Sequence, residues 1–104
     1  MPRRVFIPND NDYDYSAAEL FGELIMLTVG PVNRMDVPRL MSTFRKGMLD
    51  AAQDDLIMAS GHQFLVGIAA GLQAAKWGKI HFLQYSRKGY YESIVLLHEQ
   101  VKGV

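Results

Sequence analysis

The sequence predicts an α/β domain of about five strands, mostly parallel, with two main helices and a C-terminal antiparallel hairpin. Three observations carry this. Short apolar runs, "VFI", "LIMLTV" and "LIMA", stand before turns or helical patterns. Two longer segments repeat their apolar residues at helical spacing. The chain closes on "IHFLQYSRKGYYESIVLL", two strand-like halves around a turn. Strands alternating with helices imply βαβ units, parallel pairing and right-handed crossovers.

Element by element, Arg4 to Ile7 reads as a short strand stopped by Pro8. The stretch "PNDNDYDYS" follows, and Ser16 with Glu19 has the capping-box spacing, so a short helix is expected from Ala17 to Phe21. Leu24 to Val29 is a continuous apolar run, as expected of a strand covered on both faces. In "NRMDVPRLMSTFRKGMLDAAQ", Asp36 is placed as N-cap and Pro38 lies in the first turn. Val37, Leu40, Met41, Phe44 and Met48 form its apolar stripe, and Gly47 counts as a flaw worth up to about 1 kcal/mol. Leu56 to Ala59 is the next strand. A helix then starts at Ser60, with Gln63 again at capping-box spacing and Gly78 as its stop. Phe64, Leu65, Ile68, Leu72 and Ala75 form its stripe, while Gly67, Ala70, Gly71 and Ala74 read as a thin side for close packing on a sheet. Ile80–Tyr85 turns at Ser86-Arg87-Lys88-Gly89 and returns as Tyr90–Leu97.

At 104 residues the chain is expected to form a single domain, and its 49% hydrophobic content is enough for a core without staples. It has no cysteine, which excludes disulfides, thiol nucleophiles and thiolate metal sites. "MPRRVFIPND" lacks the apolar centre of a signal peptide, and no stretch reaches the roughly 20 apolar residues of a membrane span. A cytoplasmic protein is expected, in the host cell if it is viral. Eleven Lys and Arg balance eleven Asp and Glu, so the excess positive charge typical of nucleic-acid binders is missing. The charge is uneven, with an acidic front (Asp10, Asp12, Asp14, Glu19, Glu23) and a basic back (Lys76, Lys79, Arg87, Lys88, Lys102). That asymmetry favours a protein partner or self-association.

In open α/β sheets ligands gather at the carboxyl ends of the strands. The sequence leaves the direction of the first strand open. If it runs parallel to the others, Asp10 and Asp12 share a rim with Ser60, Gly61, His62 and Gln63, the candidate ligand-binding residues. A glycine before a helix N-terminus suits an anion, and His62 could carry a proton. The stretch lacks the dinucleotide and phosphate-loop motifs, and Ser60 is not in a nucleophile elbow. An ordinary helix cap is the competing reading. Asp10, Asp12 and Asp14 meet three conditions of a calcium loop but lack its glycine and glutamate, so an ordered rim loop is favoured over a metal site. His62, His81 and His98 have no metal-ligand spacing. No catalytic residue, metal or cofactor is expected. Tyr85, Arg87, Lys88, Tyr90 and Tyr91 on the hairpin are candidate partner-binding residues, since tyrosine and arginine anchor protein interfaces. The same mixture could stack single-stranded nucleic acid, which the neutral charge disfavours.

"FIPNDNDYDYSAAELFGELIMLTVG" followed by "DDLIMASG" resembles, in layout, small α/β proteins encoded by tailed bacteriophages. The resemblance implies a viral accessory or structural protein acting by binding, and it assigns no role to any residue. The sequence therefore reads as a non-enzymatic binding protein working through protein contacts. A small-ligand (phosphate- or nucleotide-) binding protein or enzyme using Ser60–Gln63 is the alternative, and single-stranded nucleic-acid binding on the hairpin a third.

Overall fold

The computed structural model describes residues 3–10 and 13–97 of the chain. Asp12 and His98 lie outside the described residues. One sheet holds β1 (Arg4–Ile7), β2 (Glu23–Met26), β3 (Leu56–Met58), β4 (Lys79–Ser86) and β5 (Gly89–Leu96) in the order β2-β1-β3-β4-β5. β1 is parallel to both β2 and β3, β3 is parallel to β4, and β5 returns antiparallel to β4. The expected architecture is present, with the first strand co-directional with its neighbours.

The alternation of side chains along β1 sorts the core. Phe6 and Ile57 face Leu40 and Phe44 of α1 (Val37–Gly47) and Leu65 and Ala69 of α2 (Gln63–Trp77). Val5, Ile7, Leu56 and Met58 face the other way, against Tyr15 and Ala18 of the chain after β1. Both long helices therefore cover one face. A 3-10 turn, Ser16–Leu20, covers part of the other. This follows from handedness. The chain steps from β1 to β2 in one direction and from β2 to β3 and β4 in the opposite one, so right-handed crossovers place the connections on opposite faces. The loops after β1 and β3 consequently diverge and leave a crevice at the carboxyl ends of those two strands.

Local signals fare unevenly. Asp36 does cap α1, its side chain accepting from Arg39 N at 3.3 Å. Gly78 ends α2 in the left-handed region at φ 70°, its N–H bonded to Ala74 O. Neither expected capping box forms. No side-chain bond caps the 3-10 turn; Asp14 instead accepts from Ser16 N at 2.9 Å. The N-cap of α2 is His62, whose Nδ1 accepts from Phe64 N at 3.2 Å, so Ser60 stands outside the helix. Gly47 is no flaw. It is the last residue of α1, and a Cβ there would come within 2.5 Å of Leu27 Cδ2. Gly67 and Gly71 do not pack on the sheet either, as both are exposed and a Cβ on either would meet open space. The buried side of α2 runs through Leu65, Ala69, Ala70 and Gln73.

Two buried polar knots hold the far end of the sheet. Asp55 is buried, and its carboxylate accepts from Arg4 N at 2.9 Å, from Ala52 N at 2.8 Å and from the Arg4 guanidinium at 2.9 and 3.2 Å. Gln73 reaches from α2 to the sheet, donating to Asp55 O at 2.7 Å and accepting from His81 N at 2.8 Å.

Candidate functional site

The crevice is built by three strand ends. β1 runs into Pro8 and Asn9, and Thr28 Oγ1 lies 2.6 Å from Pro8 O and 2.9 Å from Asn9 Oδ1. Asp10 continues the β1–β2 pairing through an isolated bridge to Val29, with Asp10 N on Thr28 O and Gly30 N on Asp10 O. β3 runs into Ala59-Ser60-Gly61, where Gly61 takes φ 92°, a conformation strained for any residue with a Cβ. That reversal explains why Ser60 misses the cap and His62 takes it. The acidic turn and the Ser60–Gln63 segment thus share one rim of a largely parallel sheet.

On the face not covered by helices, a cavity of about 430 Å³ opens among Tyr13, Asp14, Tyr15, Ser60, Gly61, Tyr85 and Tyr90. Its aromatic walls are two pairs. Tyr13 is 71% exposed and its ring centroid is 6.1 Å from that of buried Tyr15. Tyr85 is 67% exposed and lies edge-on, 5.2 Å from half-buried Tyr90, which in turn meets Phe21 edge-on. Each exposed ring is therefore backed by one held in the fold. Burial raises the phenol pKa of Tyr15 and of Tyr90, helped by Asp10 and by Tyr85 respectively, so both remain protonated. The Ser16 N–H holds the exposed Asp14 carboxyl below its ordinary range, so the wall carries a negative charge at neutral pH.

The sequence-derived candidates do not stay together. Ser60 and Gly61 line this cavity, His62 faces the other side of the crevice, and Gln63 is an exposed first residue of α2. Of the hairpin set, Tyr85 and Tyr90 belong to the cavity. Tyr91 points to the opposite face, where its hydroxyl donates to Gln84 Oε1 at 2.8 Å. Arg87 and Lys88 form the two-residue loop between β4 and β5. Tyr13, Asp14 and Tyr15 border the cavity, and Arg34 borders the other side of the crevice beside His62, without having been singled out for it. For the tyrosines a signal existed, two aromatics in an otherwise polar loop; for Arg34 there was none.

Beyond the cavity, on the same face, His81 Nε2–H meets Glu92 Oε1 at 3.0 Å, and Glu92 takes both arms of the Arg3 guanidinium at 2.9 and 3.1 Å. The Arg3 hydrogen bonds lower the Glu92 pKa against the opposing effect of burial. This cluster ties the start of β1 to the hairpin. Among the described residues no group of His, Asp or Glu is arranged to hold a metal ion, and no helix is long and apolar enough to cross a membrane.

Comparison with known proteins places the chain. The phage Pam3 gp32-like protein family matches residues 3–96, and the chain belongs to that family. The phage resemblance drawn from the sequence is thereby shown. No curated protein and no solved structure matches the chain.

Proposed function

We propose that this phage-family chain is a small-ligand-binding protein that takes a planar, aromatic molecule into the tyrosine-walled cavity. One observation supports this above the others. Two exposed tyrosine rings, each packed on a partner in the fold, border a cavity at the crevice where the strand order reverses, the place where open α/β sheets bind ligands. Stacking on such rings is worth about 1–3 kcal/mol per aromatic ligand face. A thermal-unfolding screen with nucleobases, nucleosides, nicotinamide and riboflavin tests the reading. A ligand present at about 100 times its Kd should stabilise the fold by roughly 2.7 kcal/mol. Tyr13→Ala and Tyr85→Ala should remove that gain, while each exposed ring contributes little to the unliganded melting point. A flat response across the panel, or a gain that survives both substitutions, ends the reading.

A second reading, association through protein contacts, is supported by a different feature. β5 is an eight-residue edge strand, "GYYESIVL", with neither lysine nor proline to blunt it. Its charge, Glu92, is engaged by Arg3. Ile94 and Leu96 are 54% and 40% exposed on it. Edge-to-edge pairing of two copies would satisfy its free backbone groups. Sedimentation should then show a dimer that Ile94→Lys converts to monomer without loss of fold. A parent chain that is monomeric at every concentration removes the β5 edge from consideration.

A further inference from the structure

A second cavity, of about 340 Å³, lies on the helix-covered side of the same crevice, bordered by Asn9, Gly30, Val32, Arg34, His62 and Leu65. Ser60 and Gly61 border the tyrosine cavity and His62 borders this one, so consecutive residues of one link join the two. In the second cavity Arg34 Nη1 and His62 Nε2 stand 3.0 Å apart. His62 Nδ1 already accepts the Phe64 N–H, so a neutral imidazole carries its proton on Nε2. Nε2–H and the guanidinium N–H are then two donors facing one another with no acceptor between them. An anionic oxygen lodged against both would accept from each, with the strength of charge-assisted bonds. Asp14 lies on the other side, bordering the tyrosine cavity. Among the described residues the crevice is therefore polarised, with the Asp14 carboxylate beside the aromatic half and the paired N–H donors of Arg34 and His62 beside the other.

Resting on the ligand-binding reading above, we infer that the ligand is of the nucleoside monophosphate class, its base between the tyrosines and its phosphoryl group on Arg34 and His62. The charge arrangement fixes the orientation, since a phosphate beside Asp14 would be repelled.

The test is calorimetric titration with the four ribonucleosides, their 5′-monophosphates and inorganic phosphate. The monophosphates should bind about tenfold or more tighter than the nucleosides, the gain expected of hydrogen bonds to a charged group. Arg34→Gln, and His62→Asn, which keeps a capping side chain, should each bring monophosphate affinity down to that of the parent nucleoside. Equal binding of nucleosides and monophosphates overturns the phosphate assignment and leaves the aromatic site standing. So does a monophosphate advantage that survives both substitutions. Binding of riboflavin or nicotinamide with none to any nucleoside or nucleotide overturns the ligand class alone. Silence across both panels overturns the two readings together.

Discussion

Asp55→Ala is expected to destabilise the protein by about 3–5 kcal/mol, the cost of breaking a buried ion pair by removing one partner. A chain of this size has roughly 5–15 kcal/mol in all, so the variant should melt lower by something like 15–30 °C. Coulombic attraction is the smaller part of the reason. Asp55 is buried at the foot of β3, and its two oxygens accept from four donors: Arg4 N, Arg4 Nε, Arg4 Nη2 and Ala52 N. Alanine leaves two backbone N–H groups and a largely buried guanidinium without that acceptor, and each orphaned buried donor costs about 1–3 kcal/mol. Arg4 keeps its outer contacts, to Asp50 Oδ1 at 2.8 Å and Asp50 O at 2.7 Å, and its place over the Phe6 ring. Asp55→Asn should be nearly as harmful, because its NH₂ would point at donors. The double variant Arg4→Met/Asp55→Leu should recover part of the loss by removing the guanidinium that lost its buried partner, though not the backbone donors. Urea unfolding of the parent and these variants decides it. A loss below about 1 kcal/mol for Asp55→Ala would show that water replaces the carboxylate without penalty.

Elements whose signal is local were legible in the sequence. The apolar runs Val5–Ile7 and Leu56–Ala59 gave buried strands, and Gly78 and Asp36 gave the ends they usually mark, because backbone geometry and periodicity are decided within a few residues. Leu24–Val29, expected to be covered on both faces, is instead the edge strand β2, which ends at Met26 and is exposed at both ends, since strand order is not set by a local run. From the parallel order the shared rim followed. The failures lie where tertiary structure, and not a local pattern, decides. Ser60 and Gln63 have capping-box spacing, yet Gly61 reverses the chain between them and hands the cap to His62. Gly47 breaks a helical rule and is retained where Leu27 would meet a Cβ. Gly67 and Gly71 suggested close packing and face open space. The Arg34–His62 contact spans 28 positions and leaves no trace in sequence spacing. One missed residue did leave a trace. Leu65, Ala69 and Gln73 are four apart, so the buried line of α2 carries an amide in its third place.

That amide explains a gap in the sheet and supports the second large effect. Ala59 N bonds to Leu83 O, and continuing this parallel pattern two residues at a time puts the next-but-one rung between His81 N and Asp55 O. Gln73 occupies that rung instead, accepting from His81 N and donating to Asp55 O, so one side chain satisfies two buried backbone groups. Gln73→Leu preserves much of the volume and strands both, for an expected loss of about 2–5 kcal/mol. Gln73→Glu separates hydrogen bonding from packing. Its carboxylate still accepts from His81 N but opposes Asp55 O, and burial raises its folded pKa above the unfolded value of about 4.3. The sign follows: the penalty is complete above the folded pKa and shrinks as pH falls towards the unfolded one, because the protonated acid can again donate to Asp55 O. The deficit of Gln73→Glu relative to the parent should therefore narrow on acidification while that of Gln73→Leu does not. Parallel pH curves for the two variants would mean that the strands close directly, His81 N to Asp55 O, and that the amide is only filling space.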